Sequence, residues 1–490
     1  MTRNPHMKEP TQNEGLDPGF LKLAVPLLIG AMAVMFDTTI VNVAINTLSR
    51  DMGASVSTTQ WVISAYVLAL AMVIPVSAWA MDRFGAKQTW MAALALFGVG
   101  SVLSSLAGNI EALIAFRVLQ GIGGGLMLPV LQTLLVNAAG PRNLGKMMSL
   151  VSLPALLGPI LGPVIGGVIL SRLSWHWIFW VNIPFCVAGL WLAWRNLAPT
   201  APKKSSHLDV VGLALLSPGL AVMIYGLSQA GSHGGFGNAA VLLPVAIGAA
   251  LLGGFVFHAL SAKLPLLDLR LFAVRSFTAS NVLLFLSGLS VYGAMLLLPL
   301  YEQQVRGQSA LNAGLLLAPQ GLGMLLTRGY AGRLTDRIGA RPIVLVGFVL
   351  TMAGTLAYTQ AGVNTNELLL GISLVLRGAG LGMVTIPIMA AAFLGLRSDQ
   401  VAHASIATRI TSQLGGAFGA AVFALILQTQ LAAQSAGGLA GRAAAFDNAF
   451  WWSIGLTALA IIPAIFLPGR REVASIRAEQ AQKDKIRTAS

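Results

Sequence analysis

Residues 35–44 of the chain read MFDTTIVNVA, and they lie inside an apolar run that extends from residue 23 to residue 47. As a helix, a run of this length is long enough to cross a hydrocarbon core about 30 Å thick. Asp37 is the only carboxylate that the sequence places well inside such a run. Burying an ionised carboxylate in lipid is costly, and ionisable groups in membrane spans are functional by default. The stretch therefore predicts a membrane helix that carries one functional acidic group.

The composition extends this interpretation to the whole chain. Hydrophobic residues make up 56% of the 490 residues and charged residues only 10%, and the mean hydropathy is +0.76. Soluble domains carry about 25% charged residues, so we expect the bilayer to be the main solvent. Backbone amides in lipid must be bonded within their own segment, which predicts helices. A membrane β-barrel would instead show alternating segments of about 10 residues. About fourteen spans are predicted, near residues 23–47, 61–81, 90–107, 111–135, 147–170, 177–195, 209–228, 239–260, 277–301, 312–329, 342–360, 368–393, 403–428 and 449–467.

The net charge of +14 is better explained by membrane topology than by a nucleic-acid partner. If the N-terminus is cytoplasmic, most Lys and Arg residues fall on the cytoplasmic side, as the positive-inside rule expects. The opposite side then holds only Arg50, Arg172, Arg306 and Arg442. The even number of spans places both termini in the cytoplasm, and the polar first 20 residues favour a retained first span over a cleaved signal peptide. We therefore expect a multi-pass protein of the cytoplasmic (inner) membrane.

A repeated Asp-Arg-x-Gly motif divides the chain into two related halves. Residues 78–87 read AWAMDRFGAK and residues 332–341 read GRLTDRIGAR, an offset of 254 residues. Both copies follow a predicted span, and two related halves around a midplane site are common in secondary transporters. Two spans near residues 209–260 have no counterpart in either half, so we interpret them as an insertion. The predicted parts are a cytoplasmic tail (1–22), an N-terminal six-helix bundle (23–195), a linker with two extra helices (196–276), a C-terminal six-helix bundle (277–467) and a second cytoplasmic tail (468–490).

A second charge, Arg117, lies within a predicted span, in the sequence FRVLQGIGGG at residues 116–125. A buried guanidinium does not lose its proton and needs an anion or carbonyl oxygens as partners. Arg117 either holds a nearby carboxylate charged until a proton or a substrate displaces it, or is a fixed structural cation bonded to backbone oxygens. Asp37 either binds and releases a proton, because desolvation disfavours its charged form, or is a structural carboxylate bonded to Thr39 or Asn42. We favour the functional interpretation of both.

Two further motifs indicate contacts between helices. The sequence GPILGPVIGG at residues 158–167 spaces small residues by four, which permits close helix approach, and its prolines bend the helix. From the residues alone this is a packing and hinge element made of Gly158, Gly162, Pro163, Gly166 and Gly167. In the Asp-Arg-x-Gly loops, a carboxylate at the end of a span can pair with a cation or a helix N-terminus. We interpret the loops as a conformational latch rather than as charges that only set topology; their residues are Asp82, Arg83, Gly85, Asp336, Arg337 and Gly339.

Together these motifs resemble those of the major facilitator superfamily, and specifically of its fourteen-helix drug:proton antiporter family, over about residues 20–467. The residues that match family motifs are Asp37 in the first span, Asp82, Arg83 and Gly85 in the first loop, Arg117, Gln120 and Gly121 in the arginine motif, and Gly158, Gly162, Pro163, Gly166 and Gly167 in the antiporter signature. The stretch WHWIFWVNIP at residues 175–184 resembles the sixth span, with His176 where arginine is common. Ala78 and Ser149 stand where the family usually has glycine. The resemblance implies the major facilitator fold and alternating-access export of amphipathic, often cationic drugs or metabolites in exchange for protons.

The predicted function is therefore proton-coupled export across the cytoplasmic membrane, with Asp37 and Arg117 as the proton-coupling residues. A dedicated exporter of a native metabolite or lipid-like molecule, a proton symporter and a non-transporting membrane sensor stay open as alternatives. Aromatic faces attract organic cations and methionine adapts to varied shapes, so such residues on spans that the resemblance places along the central cleft are candidate substrate contacts. The candidates are Asp37, Trp61, Tyr66, Gln120, Met127, Tyr292 and Gln304.

Enzymatic activity is not expected. The chain has no P-loop sequence, and its histidines lack the spacing of a metal site. We expect no cofactor and no metal, because the proton gradient supplies the energy. The expected partners are a small amphipathic substrate, protons and membrane lipid, and we expect a monomer to be sufficient for function.

Overall fold

The computed structural model is a bundle of long helices. It describes residues 18–139, 144–151, 153–199, 207–230, 236–263, 265–308, 310–434, 437–476 and 478. Within these ranges there is no β-strand, and the one strand-like pairing is a single bridge between Gly339 and Gly469. Most of the predicted N-terminal tail and the end of the predicted C-terminal tail lie outside the described residues. The helical backbone agrees with the requirement that amides in lipid be bonded locally.

The helices before the predicted linker are α1 to α9. Their bounds are Pro18–Asp51 (α1), Val56–Val73 (α2), Val76–Phe84 (α3), Ala86–Ser105 (α4), Ile110–Ala139 (α5), Leu144–Val151 (α6), Leu153–Arg172 (α7), Trp177–Trp180 (α8) and Asn182–Asn196 (α9).

The helices after the linker begin with the inserted pair, Val210–Ser228 (α10) and Ala239–Ser261 (α11). The remaining ones are Arg275–Gln304 (α12), Ala310–Leu315 (α13), Ala318–Ile338 (α14), Ala340–Leu356 (α15), Glu367–Phe393 (α16), Val401–Ala433 (α17), Gly438–Leu459 (α18) and Ile461–Ala464 (α19).

A helix stands at every place where the sequence predicts a span. Eleven helices in the described ranges are long and apolar enough to cross a membrane, and a twelfth span results if α2 and α3, which meet at 57°, are one bent span. The predicted spans at 147–170 and 312–329 correspond to α6–α7 and α13–α14. Helix α14 is more polar than the others because it carries Gln320, Arg328 and Arg333. An all-helical membrane protein is thus confirmed, and the number fourteen stays a prediction.

Several helices extend beyond the predicted spans, and two of these extensions contain a buried or half-buried carboxylate. Helix α18 begins at Gly438 instead of residue 449, so Asp447 lies within it. Helix α12 continues to Gln304, so Glu302 also lies within a helix and is only 4% exposed. Glu302, two residues before the end of α12, and Asp447 thus join Asp37 as carboxylates that lie within long helices. Glu302 can be buried because Arg306, one turn later, places its Nε 3.4 Å from the carboxylate.

The repeat in the sequence is also a repeat in space. Gly85 and Gly339 both have φ of +87°, a conformation that glycine adopts at little cost and that turns the chain sharply into α4 and α15. Two residues after each glycine, a basic side chain binds carbonyl oxygens near the end of the last helix of its half. Lys87 Nζ donates to Leu197 O at 2.6 Å, and Arg341 Nε donates to Leu467 O at 2.8 Å.

The inserted helices α10 and α11 form a hairpin that packs beside α2 and α17. Asp209 caps the hairpin by accepting hydrogen bonds from Gly212 N, Leu266 N and, at 2.8 Å, His258 Nε2. Burial raises the pKa of Asp209, but these hydrogen bonds outweigh it and leave the pKa below its ordinary value. The cap therefore depends on an ionised carboxylate.

Hydrogen bonds join the two halves at the end of the bundle that carries the Asp82–Gly85 and Asp336–Gly339 loops, which we call the motif end. Gly145 N, at the start of α6, donates to Asp336 Oδ1 at 3.1 Å. Arg328 Nε of α14 donates to Ser149 O of α6 at 3.0 Å. The halves are thus held together at the motif end by contacts between α6 and α14.

Candidate functional site

Asp37 of α1 and Arg117 of α5 form an ion pair in the interior of the N-terminal bundle. Arg117 Nη1 lies 2.6 Å from Asp37 Oδ2, and the two side chains are 1% and 0% exposed. Arg117 Nε donates to Val62 O at 3.0 Å, and the guanidinium lies 4.1 Å from the centre of the Tyr66 ring. The arginine therefore has an anion, a carbonyl oxygen and an aromatic face as partners, which together compensate for the lost hydration.

The second oxygen of Asp37 is held by two amides. Oδ1 accepts from Gln120 Nε2 at 2.9 Å and from Asn182 Nδ2 at 3.1 Å. Both amides also donate to Ser101 Oγ, and Gln120 Oε1 accepts from Arg117 Nη1 at 2.7 Å. Side chains from α1, α4, α5 and α9 thus form one network around a single carboxylate. Each carboxylate oxygen of Asp37 thus accepts hydrogen bonds from buried donors, so the side chain is held in one position.

Thr39 and Asn42, the neighbours considered as hydrogen-bond partners of Asp37 from the sequence, are bonded to backbone oxygens instead. Thr39 Oγ1 contacts the carbonyl oxygens of Met35 and Phe36 and, at 3.1 Å, Gly158 O of α7. Asn42 Nδ2 donates to Thr38 O. Asp37 is therefore bonded to side chains of other helices and not to Thr39 or Asn42.

The glycines of α7 pack against α1 on either side of Asp37. An added Cβ at Gly158 would lie 2.9 Å from Met35 O, and one at Gly162 would collide with Thr39 Oγ1. A Cβ at Gly166 would lie 3.3 Å from Ile40, whereas one at Gly167 would meet nothing within 4 Å. Pro163 lies in α7, but its side chain is outside the described residues. Close approach of α7 to α1 at the level of the carboxylate thus depends on Gly158 and Gly162.

The structure separates the predicted substrate contacts into different places. Gln120 and Tyr66 are buried in the Asp37 network, and Met127 is fully buried in the core of the N-terminal bundle. Trp61 is 41% exposed and stacks on Tyr225 of the inserted α10, with ring centroids 5.9 Å apart. The remaining two candidates are Gln304, which is exposed near the end of α12, and Tyr292, whose side chain lies outside the described residues. The structure therefore does not bring these residues together into one cavity.

The two predicted latch loops differ in what the structure shows of them. Asp336 accepts the hydrogen bond from Gly145 N that joins the halves. Asp82 is half-buried at the matching position, and Arg83 and Arg337 are exposed. The carboxylate of Asp336, rather than an arginine of either loop, is thus the group that contacts a helix N-terminus of the other half.

Two members of the Asp37 network were missed in the sequence. Asn182 begins α9 and Ser101 lies in α4, and both are fully buried. Asn182 lies in the stretch WHWIFWVNIP at residues 175–184. A polar amide among aromatic and apolar residues there could have identified it as a site residue. Ser101 gave no signal, because serines are common in membrane helices and bond to the preceding turn.

A family model described as Major Facilitator Superfamily matches residues 27–420 of the chain. The chain belongs to the Major Facilitator Superfamily. Among relatives in this superfamily, it is 38% identical over 418 residues to "Multidrug resistance protein B homolog" of Mycobacterium tuberculosis, covering 85% of this chain and 77% of that protein. It is 30% identical to "Multidrug export protein EmrB" of Haemophilus influenzae, covering 81% and 78%. It is 27% identical to "Lincomycin resistance protein LmrB" of Listeria innocua, covering 94% and 99%.

Solved structures of the Major Facilitator Superfamily share the fold at low sequence identity. The human organic anion transporter MFSD10 (TETRAN) matches 91% of this chain and 100% of its own, with a TM-score of 0.63 and 17% identity. The proton:xylose symporter XylE matches 93% and 98%, with a TM-score of 0.61 and 15% identity. The predicted major facilitator fold is confirmed, and at these identities the likeness shows the fold alone.

Proposed function

We propose that this major facilitator protein is a proton-coupled antiporter that exports amphipathic drugs or metabolites across the cytoplasmic membrane by alternating access. The observation that carries the proposal is the fully buried ion pair between Asp37 and Arg117. Relatives named for multidrug resistance, multidrug export and lincomycin resistance support the assignment of drugs as substrates. The proton gradient supplies the energy, so the mechanism requires no cofactor and no enzymatic step.

Asp37 accepts the proton in this mechanism. Protonation removes its negative charge, so the attraction to Arg117 across 2.6 Å in a medium of low dielectric constant is lost. Arg117 then keeps Val62 O and Gln120 Oε1 as partners. Proton binding and closure of the ion pair are therefore mutually exclusive, and the position of α5 relative to α1 depends on which of them occurs.

Helix α7 is placed to transmit this change. Its backbone touches α1 at Met35 and Thr39, one on each side of Asp37 along the helix. A face of glycines offers no side chains that interlock with α1, so α1 can slide or tilt against it at low cost. We propose that the Gly158–Gly167 segment is the surface along which α1 moves when Asp37 changes its charge.

The motif end is, in this proposal, the cytoplasmic end, and both termini lie on that side. The exposed Arg83 and Arg337 at this end agree with the positive-inside rule. The bond from Gly145 N to Asp336 then belongs to a state that is closed toward the cytoplasm. The site is built from one chain embedded in lipid, so we propose that a monomer is sufficient and that no nucleic acid takes part.

Organic cations compete with Arg117 in this site. The carboxylate of Asp37 is already ion-paired, so a cation that binds to it must displace the guanidinium, as a proton does. Substrate and proton then exclude each other, which is what antiport requires.

The test is transport into everted membrane vesicles from a host that lacks its own efflux pumps. Energised vesicles that contain the protein should accumulate ethidium, a protonophore should abolish the accumulation, and vesicles without the protein serve as the control. Sugars and amino acids should not compete, whereas quaternary ammonium compounds should. If no drug in a broad panel moves in a protonophore-sensitive way, the proposal is wrong, and a dedicated metabolite exporter takes its place.

A further inference from the structure

The packing of glycines aligns the two halves residue by residue. In each half, glycines of three neighbouring helices face backbone atoms of one another's helices. The matching residues of α2 and α14, and of α4 and α15, are related by the offset of 254 found in the sequence, and those of α5 and α16 by an offset of 257. In the N-terminal half, Gly121 faces Tyr66 O, Gly123 faces Ala93 O, Gly125 faces Leu70 O and Gly100 faces Gln120 N. In the C-terminal half and in the same order, Gly378 faces Gln320 O, Gly380 faces Gly347 O, Gly382 faces Met324 O and Gly354 faces Arg377 N. Helix α16 therefore corresponds to α5, with Arg377 at the place of Gln120.

The partner helices align in the same way. Gly158 and Gly162 of α7 face Met35 and Thr39, and Gly415 and Gly419 of α17 face Phe285 and Leu289. Helix α12 therefore corresponds to α1. By this alignment, the place of Asp37 in the C-terminal half is taken by Ser287, and the place of Tyr66 by Gln320.

The polar groups at these matching places differ in charge. In the N-terminal half, Arg117 is neutralised by Asp37. In the C-terminal half, Arg377 is only 1% exposed, and its Nη1 donates to the neutral Gln320 Oε1. Its Nη2 has no hydrogen-bond partner within the described part of the chain, and no carboxylate there forms an ion pair with it. Among the described residues, Arg377 is thus a buried positive charge without a carboxylate partner.

An uncompensated guanidinium in an apolar interior is costly, because neither water nor an anion solvates it. An apolar residue such as leucine at position 377 would fill a similar space without this desolvation cost. The position is therefore explained if Arg377 receives an anion during the transport cycle. Gln320, which holds Nη1, is only half-buried, so an entering group can reach the guanidinium by displacing the amide.

We propose that Arg377, with Gln320, binds the acidic group of amphipathic substrates that carry a carboxylate or sulfonate, including zwitterions. The planar guanidinium matches such a group with two parallel N–H donors, of which Nη2 is free in this structure. This proposal rests on the proposed export function and adds a second substrate class to the organic cations expected to act at Asp37. A zwitterion would use the two halves for its two charges.

The experiment compares two dyes that differ only in this group. One is a zwitterionic rhodamine with a free benzoate, and the other is its methyl ester, which is purely cationic. Equilibrium binding of each is measured by fluorescence anisotropy on the purified full-length protein. The variants are Arg377→Gln, Arg377→Lys, Gln320→Glu, and the matched control Arg270→Gln, which removes an exposed arginine between α11 and α12.

We expect Arg377→Gln to raise the Kd of the acid by about tenfold or more, as loss of a charged hydrogen bond predicts, and to leave that of the ester unchanged. Arg377→Lys should recover part of the affinity. Gln320→Glu should supply the missing anion, so it should weaken binding of the acid and raise thermal stability even if Arg377→Gln does not fold.

The proposal is overturned if Arg377→Gln weakens both dyes equally or neither, or if the wild-type protein binds the ester but not the acid. It is also overturned if Gln320→Glu leaves binding of the acid unchanged. Selective binding without protonophore-sensitive transport would refute the proposed antiport and leave the site in place, so the two failures are distinguishable.

Discussion

Replacing Asp37 by asparagine is the most direct perturbation of the site, and the structure predicts two separate effects. The substitution removes the charge that compensates Arg117, whose guanidinium is 1% exposed. Removing one partner of a buried ion pair costs about 3–5 kcal/mol, because the other charge stays buried and unpaired. The new amide nitrogen would also face Gln120 or Asn182, which both donate to Asp37 Oδ1. The structure therefore predicts that Asp37→Asn has clearly lower stability than the wild-type protein.

The second effect is loss of coupling. An amide does not bind a proton in the physiological range, so the ion pair can no longer open and close with the gradient. In proteoliposomes we expect Asp37→Asn to lose uphill transport driven by a pH gradient and to keep substrate counterflow. Asp447→Asn, which changes another carboxylate within a helix, is the matched control and should keep both activities.

A double variant separates stability from coupling. Arg117→Met in the Asp37→Asn background removes the stranded charge and leaves an apolar side chain of similar length. Replacing a whole buried ion pair by apolar groups is often neutral, so thermal unfolding should return toward that of the wild type. Uphill transport should stay absent. Uphill accumulation by Asp37→Asn equal to that of the wild type would refute the coupling role, and unchanged unfolding of the single variant would refute the energetic argument.

Three further predictions follow from contacts outside the ion pair. Gly162→Leu should block the transport cycle, because the new leucine side chain collides with Thr39. The control Gly167→Ala should transport normally, because its Cβ meets no neighbouring atom. Efflux by Gly162→Leu at the wild-type rate would mean that α7 does not pack on α1. Asp336→Asn removes a negative charge from the N-terminus of α6, and the lost charge–helix interaction is worth about 0.3–1 kcal/mol. The halves should then separate more often at the motif end, so cysteines introduced between them should be labelled faster. Unchanged labelling would refute the latch. The lowered pKa of Asp209 means that its contribution to stability is complete above its unfolded value of about 3.9 and is lost as the pH falls through the folded value. Protection factors for hydrogen exchange at the start of α10 should therefore fall as the pH is lowered through the folded value, and the same acid response in Asp209→Asn would contradict this.

The sequence by itself determined the kind of fold and the position of the important charge. Hydropathy is a local property, so apolar runs located a helix at every predicted span. Asp37 stood out because a carboxylate in such a run violates the local pattern. The repeat of Asp-Arg-x-Gly gave the relation between the halves, because both copies form the same turn, with glycine at a positive φ.

Only the tertiary structure decided which residues meet. The local hydrogen-bond partners considered for Asp37 were two and five positions away, but its ion-pair partner is 80 residues away on another helix. Hydropathy does not show which face of a span meets protein and which meets lipid, because both surroundings are apolar. For this reason Trp61, expected in the cleft, lies against Tyr225 of the inserted hairpin.

The difference between the two halves was likewise invisible in the sequence. Arg117 and Arg377 look alike there, since each is an arginine within a glycine-rich span. In space, Arg117 has the carboxylate of Asp37, whereas Arg377 occupies the place of Gln120 and donates to the amide oxygen of Gln320. Whether a buried charge is compensated depends on atoms from several helices at once. That arrangement is fixed by the packing of the bundle, and a one-dimensional pattern of residue types does not contain it.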